Sequence, residues 1–273
     1  MSYNDRPSPI KADHSLSVLR ATQRSQPDKA LRDLKFLVFD GCLMGTSREL
    51  ISAGVEASNI TVVERDADTS REHAQLGLGV ALFHGSFSKW LQEMERRIPD
   101  VDGYYLDGMG TWTGNLNAHS LIHDLWVLLE KVRRSRRIVV IALTFSERSN
   151  YNRDKKFKKD LVDILSKASR ASKQRKQSIS WTTDNLIRHF LHLVFLYSGW
   201  SVRRRNWRKG DGTRYRRDIG DDIGDVGTPA AMLFYRFELV RVRPNRRVRW
   251  PVVGGTVPGF KGEWDLHDVI DHK

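Results

Sequence analysis

A single cysteine, Cys42, in a chain of 273 residues leaves no partner for an internal disulfide. Cohesion must then come from a packed core, and a reducing, intracellular setting is expected. No basic group stands beside Cys42 in the sequence, so it reads as a small buried residue rather than a nucleophile. No apolar run reaches membrane-spanning length, and the polar N-terminus lacks a signal-peptide core. Zinc-like spacing is missing too. His119 and His123 could share one helix face, as could His189 and His192, but no third ligand accompanies either pair, so no metal is expected. Repeats of the kind that mark a solenoid are also absent.

What is present is a length sufficient for a full core and 40% hydrophobic residues. The net charge is +13, unevenly spread. Residues 35–135 hold ten Lys/Arg against fourteen Asp/Glu. Residues 147–177 hold eleven against four, and residues 203–217 hold eight against one. Charge concentrated in two segments points to a polyanionic partner, most often nucleic acid, more than to general solubility.

Along the chain, apolar runs and glycine punctuation alternate strand with helix. Strands are expected at 35–39, 60–63, 80–83, 104–106 and 138–143, with helices after Gly45, at 69–76, 87–97 and 116–132. Five β-α units predict a doubly wound, Rossmann-like α/β sheet. Residues 1–30 read as an arm or a cap on the domain. A helix over 181–197 is followed by strands at 200–207 and 231–242, with no helix-sized apolar segment between them. These two strands are expected to be antiparallel neighbours.

The stretch KFLVFDGCLMGTSRELISAGVEASNITVVERD, residues 35–66, carries the most information. It is a strand, a glycine turn, a helix capped by Thr46 or Ser47 with Glu49 at capping-box spacing, a second strand, and then Glu64. A glycine turn lets backbone approach a ligand, and an acid at the end of the second strand can accept ribose hydroxyls. The turn lacks the G-x-G-x-x-G of a dinucleotide site. It resembles the first motif of class I S-adenosylmethionine (SAM)-dependent methyltransferases over roughly residues 33–242, with Cys42, Leu43 and Met44 where that family usually has glycines.

The resemblance implies a seven-stranded sheet closed by an antiparallel terminal strand, with SAM as cofactor. Asp40, Gly41 and Gly45 would form the cofactor turn, and Glu64 would hold the ribose. Gly85 and Ser86 fall where the adenine is read, with Phe87 beside them; Ser86 is equally well placed to cap a helix. Asp107, ahead of Gly108 and Gly110, stands where the acceptor meets the methyl group and is the candidate catalytic residue. The D/N-P-P-Y/F motif of amine methyltransferases is absent, and so is a cysteine placed to attack a cytosine ring. Of the Lys-Asp-Lys-Glu set of ribose 2′-O enzymes, Lys35, Asp107 and Glu238 could supply three members, but the fifth strand ends without a lysine.

Trp112 could stack on a base. Arg203, Arg204, Arg205, Arg214, Arg216 and Arg217, interleaved with Trp207 and Tyr215, suit phosphate contact and base stacking. The organisation expected is an arm at 1–30, a methyltransferase-like domain at 31–243 with a basic insert at 147–177 and a basic hairpin loop at 203–230, and a tail at 244–273. The function expected is methyl transfer to nucleic acid, RNA more than DNA. The alternatives are a non-catalytic nucleic-acid-binding protein that keeps a degenerate form of the fold, and a methyltransferase acting on a small molecule or protein.

Overall fold

The computed structural model describes residues 9–111, 121–146, 159, 162, 183–203, 212–216 and 231–242. The basic insert and the tail at 244–273 fall almost wholly outside these residues, as does most of the 203–230 loop. The first five strands are β1 (Phe36–Phe39), β2 (Ile60–Glu64), β3 (Ala81–His84), β4 (Gly103–Thr111) and β5 (Ile138–Ser146). They pair in parallel in the order β3-β2-β1-β4-β5. β8 (Ala231–Arg241) then runs antiparallel between β5 and β6 (Trp200–Val202). The antiparallel neighbours and the single reversal are those that the sequence led us to expect.

One strand was not foreseen. β7 (Gly212–Arg216), inside the presumed hairpin loop, also pairs antiparallel with β8. Because β5 occupies one edge of β8, β6 and β7 lie end to end on the other. Val202 faces Leu239; ten residues on, Gly212 faces Tyr235, only four residues further along β8. Among the described residues the seventh strand position is therefore shared by two short strands, and the sheet counts eight. The arginine-rich composition of this stretch hides the period-2 alternation that would have marked it.

Helices cover both faces, as a parallel sheet requires. α1 (Pro9–Ser25) and α2 (Gly45–Ser52) lie over one face, where Val18, Leu19 and Leu50 meet Val38, Val62, Tyr105, Val140 and Phe234. α3 (Ala67–Gln75) runs between β2 and β3. α4 (Phe87–Glu93), α5 (Leu121–Val132) and α6 (Thr183–Tyr197) cover the other face, burying Trp90, Leu125, Leu128, Leu191 and Phe195 against Leu106, Ile141 and Phe237. There the buried Trp200 indole donates to Leu129 O at 3.1 Å.

The segment read as an arm or cap includes α1, an element seated on the sheet. It presses close: a Cβ added to Gly103 would stand 2.5 Å from Thr22 Oγ1 and 2.8 Å from Phe36. His14 stacks on Phe234 at 3.9 Å between ring centroids, with planes 3° apart. Burial pulls the His14 pKa down to about 4, against the opposing pull of Asp107 and Asp13.

At the sheet's lower edge, Asp102 is a fully buried carboxylate. It accepts from Lys29 Nζ at 2.8 and 2.9 Å and from the Lys35 backbone N–H at 2.9 Å, and it pairs with Arg136 Nη1 at 2.9 Å. Removing it leaves two cations and an amide without their acceptor. Asp102→Asn should lower unfolding free energy by about 3 kcal/mol in chemical denaturation; a loss within experimental error would show that the cluster contributes nothing. For His14 the folded pKa lies below the unfolded one, so the unfolded chain binds more protons between about pH 6.5 and 4. Stability should fall as pH drops through that window, within the limit of about 1.4 kcal/mol per pH unit for one group. Melting curves of His14→Phe should show a flatter acid limb; an unchanged limb would exclude His14 as its source.

Candidate active site at the carboxyl ends of the strands

The parallel register sets four polar side chains on one level. Val38 faces Val62 and Phe39 faces Leu106, so Asp40, one step on, sits level with Glu64 of β2 and Asp107 of β4. Asp107 faces Thr144 of β5, which in turn faces Phe234 of β8. Alternation places all of them on the face covered by α1 and α2. The level lies at the carboxyl ends of the strands. There the chain order reverses between β1 and β4, the usual position of a ligand crevice in such sheets.

The turn after β1 departs from its expected form. α2 begins at Gly45, but its N-cap is Met44, a fully buried residue in the left-handed region at φ 51° with no side-chain cap of its own. The expected Thr46 or Ser47 cap does not form. Instead the buried Asp40 carboxylate accepts from Thr46 N at 3.1 Å and Ser47 N at 2.8 Å. The helix N-terminus thus receives its anion from the strand end. Burial raises the Asp40 pKa; hydrogen bonds from Ser47 and Thr46 oppose the shift, and Asp107 adds to it. Gly41 O accepts from Met44 N at 2.8 Å and from His73 Nε2 of α3 at 2.9 Å, which fixes the turn from both sides. Gly45 needs no positive φ, and a Cβ added to it would meet nothing within 4 Å. That open space beside the turn suits a ligand approaching the backbone.

Glu64 is half-buried at the end of β2, and its Oε1 accepts from Asp66 N at 2.6 Å. Gly85 N donates to Glu64 O at 2.8 Å, bringing the 85–87 loop against the end of β2. Ser86 caps α4, accepting from Lys89 N at 3.2 Å, so the capping role weighed for it is filled. Phe87 is buried, with its ring edge-on to Phe39 at 5.3 Å.

Asp107 pairs with Lys11 Nζ of α1 at 3.3 Å. Sequence reading missed Lys11, because a lysine nearly a hundred residues upstream in a polar segment carries no local signal. The three-residue set of Lys35, Asp107 and Glu238 does not assemble. Lys35 precedes β1 at the lower edge beside Asp102, while Asp107 lies at the upper end of β4. Glu238 faces Val140, near the start of β5. Beside Asp107, the buried hydroxyl of Thr144 has no hydrogen-bond partner among the described residues.

Of the expected nucleic-acid residues, Arg203 is exposed at the end of β6, with its guanidinium 3.7 Å from Glu238. Arg214 and Arg216 lie on β7, opposite Leu233 and Ala231. Trp112, Arg204, Arg205, Trp207 and Arg217 fall outside the described residues, as does His119. Among the described residues no group of three or more His, Cys, Asp or Glu is arranged to hold a metal ion. No described helix is long and apolar enough to cross a membrane.

No family model and no curated protein matches the chain. Several solved structures are similar. M. jannaschii TYW2 in complex with AdoMet is 11% identical at TM-score 0.40, over 88% of this chain and 80% of that one. The precorrin-6y C5,15-methyltransferase of Geobacter metallireducens is 14% identical at TM-score 0.40, over 86% and 93%. The Bacillus cereus O-methyltransferase in complex with SAH is 16% identical at TM-score 0.43, over 88% and 84%. The assignment to a class I methyltransferase-like fold rests on the chain's own strand order, with β8 reversed between β5 and β6.

Proposed function

We propose that the chain is a SAM-dependent methyltransferase acting on nucleic acid, RNA in preference to DNA. One observation carries the reading: Glu64, Asp40, Asp107 and Thr144 stand in a single transverse row at the carboxyl ends of adjacent parallel strands. The open space beside Gly45 admits a cofactor against the backbone of residues 41–45. Glu64 is the acid for the ribose hydroxyls, and the Gly85–Ser86 loop borders the adenine. Asp40 acts one step back, holding the N-terminus of α2 and so the shape of the turn. When bound, SAM supplies a methyl group on a positively charged sulfonium. Asp107 lies on the acceptor side. Its carboxylate, paired with Lys11, can orient the acceptor and take its proton as the nucleophile loses it.

The preference for nucleic acid rests on the two basic segments and on the exposed Arg203 where the second one begins. A binding protein without catalysis is the second reading. It is favoured by the turn, in which Met44 takes the left-handed position and the Asp40 carboxylate is occupied in capping.

With methyl-labelled SAM and total RNA, the wild-type chain should transfer label, and Asp107→Asn should lower transfer by about 100-fold or more. Label appearing only in small molecules would overturn the acceptor class. Cofactor binding without any transfer would favour the second reading. Gly45→Ala should melt at or above the wild-type temperature, since alanine suits a helix better than glycine by up to about 1 kcal/mol. Its added methyl should nonetheless weaken cofactor binding. A variant with unchanged cofactor affinity would place the ligand elsewhere.

A further inference from the structure

We propose that α1 and the edge of the sheet form one phosphate-binding surface, organised by the carboxylate of Glu238. This rests on the nucleic-acid reading and extends it to residues in a part of the chain with no basic run. Glu238 is 3% exposed on β8, on the face that α1 covers. Arg24 Nη2 of α1 reaches its Oε1 at 3.0 Å, and Arg203 Nη1 from the end of β6 lies 3.7 Å from its Oε2. The two guanidiniums come from residues 24 and 203, far apart in sequence, and one buried negative charge holds both. Each remains largely in solvent, 55% exposed for Arg24 and 43% for Arg203.

A carboxylate buried only to dock a helix needs one cation. Two leave a net positive charge at the surface, with planar N–H forks held in place by the acid between them. That arrangement suits bidentate contact with a phosphodiester. Neighbouring charge adds to it. Arg236, two residues before Glu238 on the same face, donates through Nη1 to Ser17 O and Oγ of α1 and helps seat the helix. Arg20, one turn before Arg24, is exposed. Arg203 also opens the arginine-rich stretch to residue 217. A single strand laid across this surface would meet Arg203 and α1 together. Phosphate contacts position such a strand without reading its sequence.

The test measures binding of a labelled single-stranded RNA to the full chain by fluorescence anisotropy between about 50 and 200 mM salt. Each lost phosphate contact lowers the log–log salt slope by about 0.7 for a single strand. Arg24→Ala should lower the slope by that amount, and Arg24→Lys should restore it. Arg20→Ala should shift it in the same direction without touching the Glu238 junction. Arg96→Ala, an exposed change after α4 on the opposite face, should leave it unchanged. If Arg24→Ala and Arg20→Ala keep the wild-type slope in folded protein, the surface is a structural clamp and the proposal fails. If the wild-type chain binds no RNA at low salt, the nucleic-acid reading falls and this inference falls with it. Cofactor binding, measured separately, is untouched by either result.

Discussion

Asp102 sets the level from which the sheet is built. Its buried carboxylate holds the backbone where β1 begins, the Lys29 ammonium from the preceding loop and the Arg136 guanidinium just before β5, while Asp102 itself leads into β4. With the lower ends of three strands tied to one point, their register follows, and register fixes what shares a level at the upper ends. A slip of one residue in β4 would turn Asp107 to the opposite face and set Leu106 among the acids. The candidate row is therefore a consequence of a salt-bridge cluster at the far end of the same strands.

Much of this was legible in the sequence. Apolar runs bounded by glycine and acid gave the five parallel strands, and the missing crossover helix gave the antiparallel pair. Glu64 and Asp107 stood out as candidates because strand ends followed by acids are local signals. Lys11 was not, since its role depends on where a distant helix comes to rest. The capping residue was misjudged for a related reason. Thr46 and Ser47 have good capping chemistry, but the backbone enters α2 through Met44, and an acid from the preceding strand reaches the free N–H groups first. β7 escaped because five residues dense in arginine carry no apolar alternation, and their pairing is imposed by the long edge of β8.

The same physics links the two ends of the chain. α1 is held over the sheet by stacking of His14 on Phe234, by the close fit of Thr22 over Gly103, and by polar bonds to Arg236 and Glu238. Through Lys11 it also reaches Asp107. A helix preceding the first strand thus borders both the candidate chemistry and the basic edge. Among the described residues, the cations Lys29, Arg136, Arg24 and Arg203 gather around two buried acids, Asp102 and Glu238.

The central claim is that the carboxyl-end row is a cofactor site. Its most direct test is calorimetric titration of the full chain with the demethylated cofactor, S-adenosylhomocysteine, with Glu64→Ala alongside. The account predicts one saturable site of micromolar affinity, weakened by about 1–3 kcal/mol when the Glu64 carboxylate is lost. No binding heat at millimolar ligand, or equal affinity in a folded Glu64→Ala variant, would contradict it.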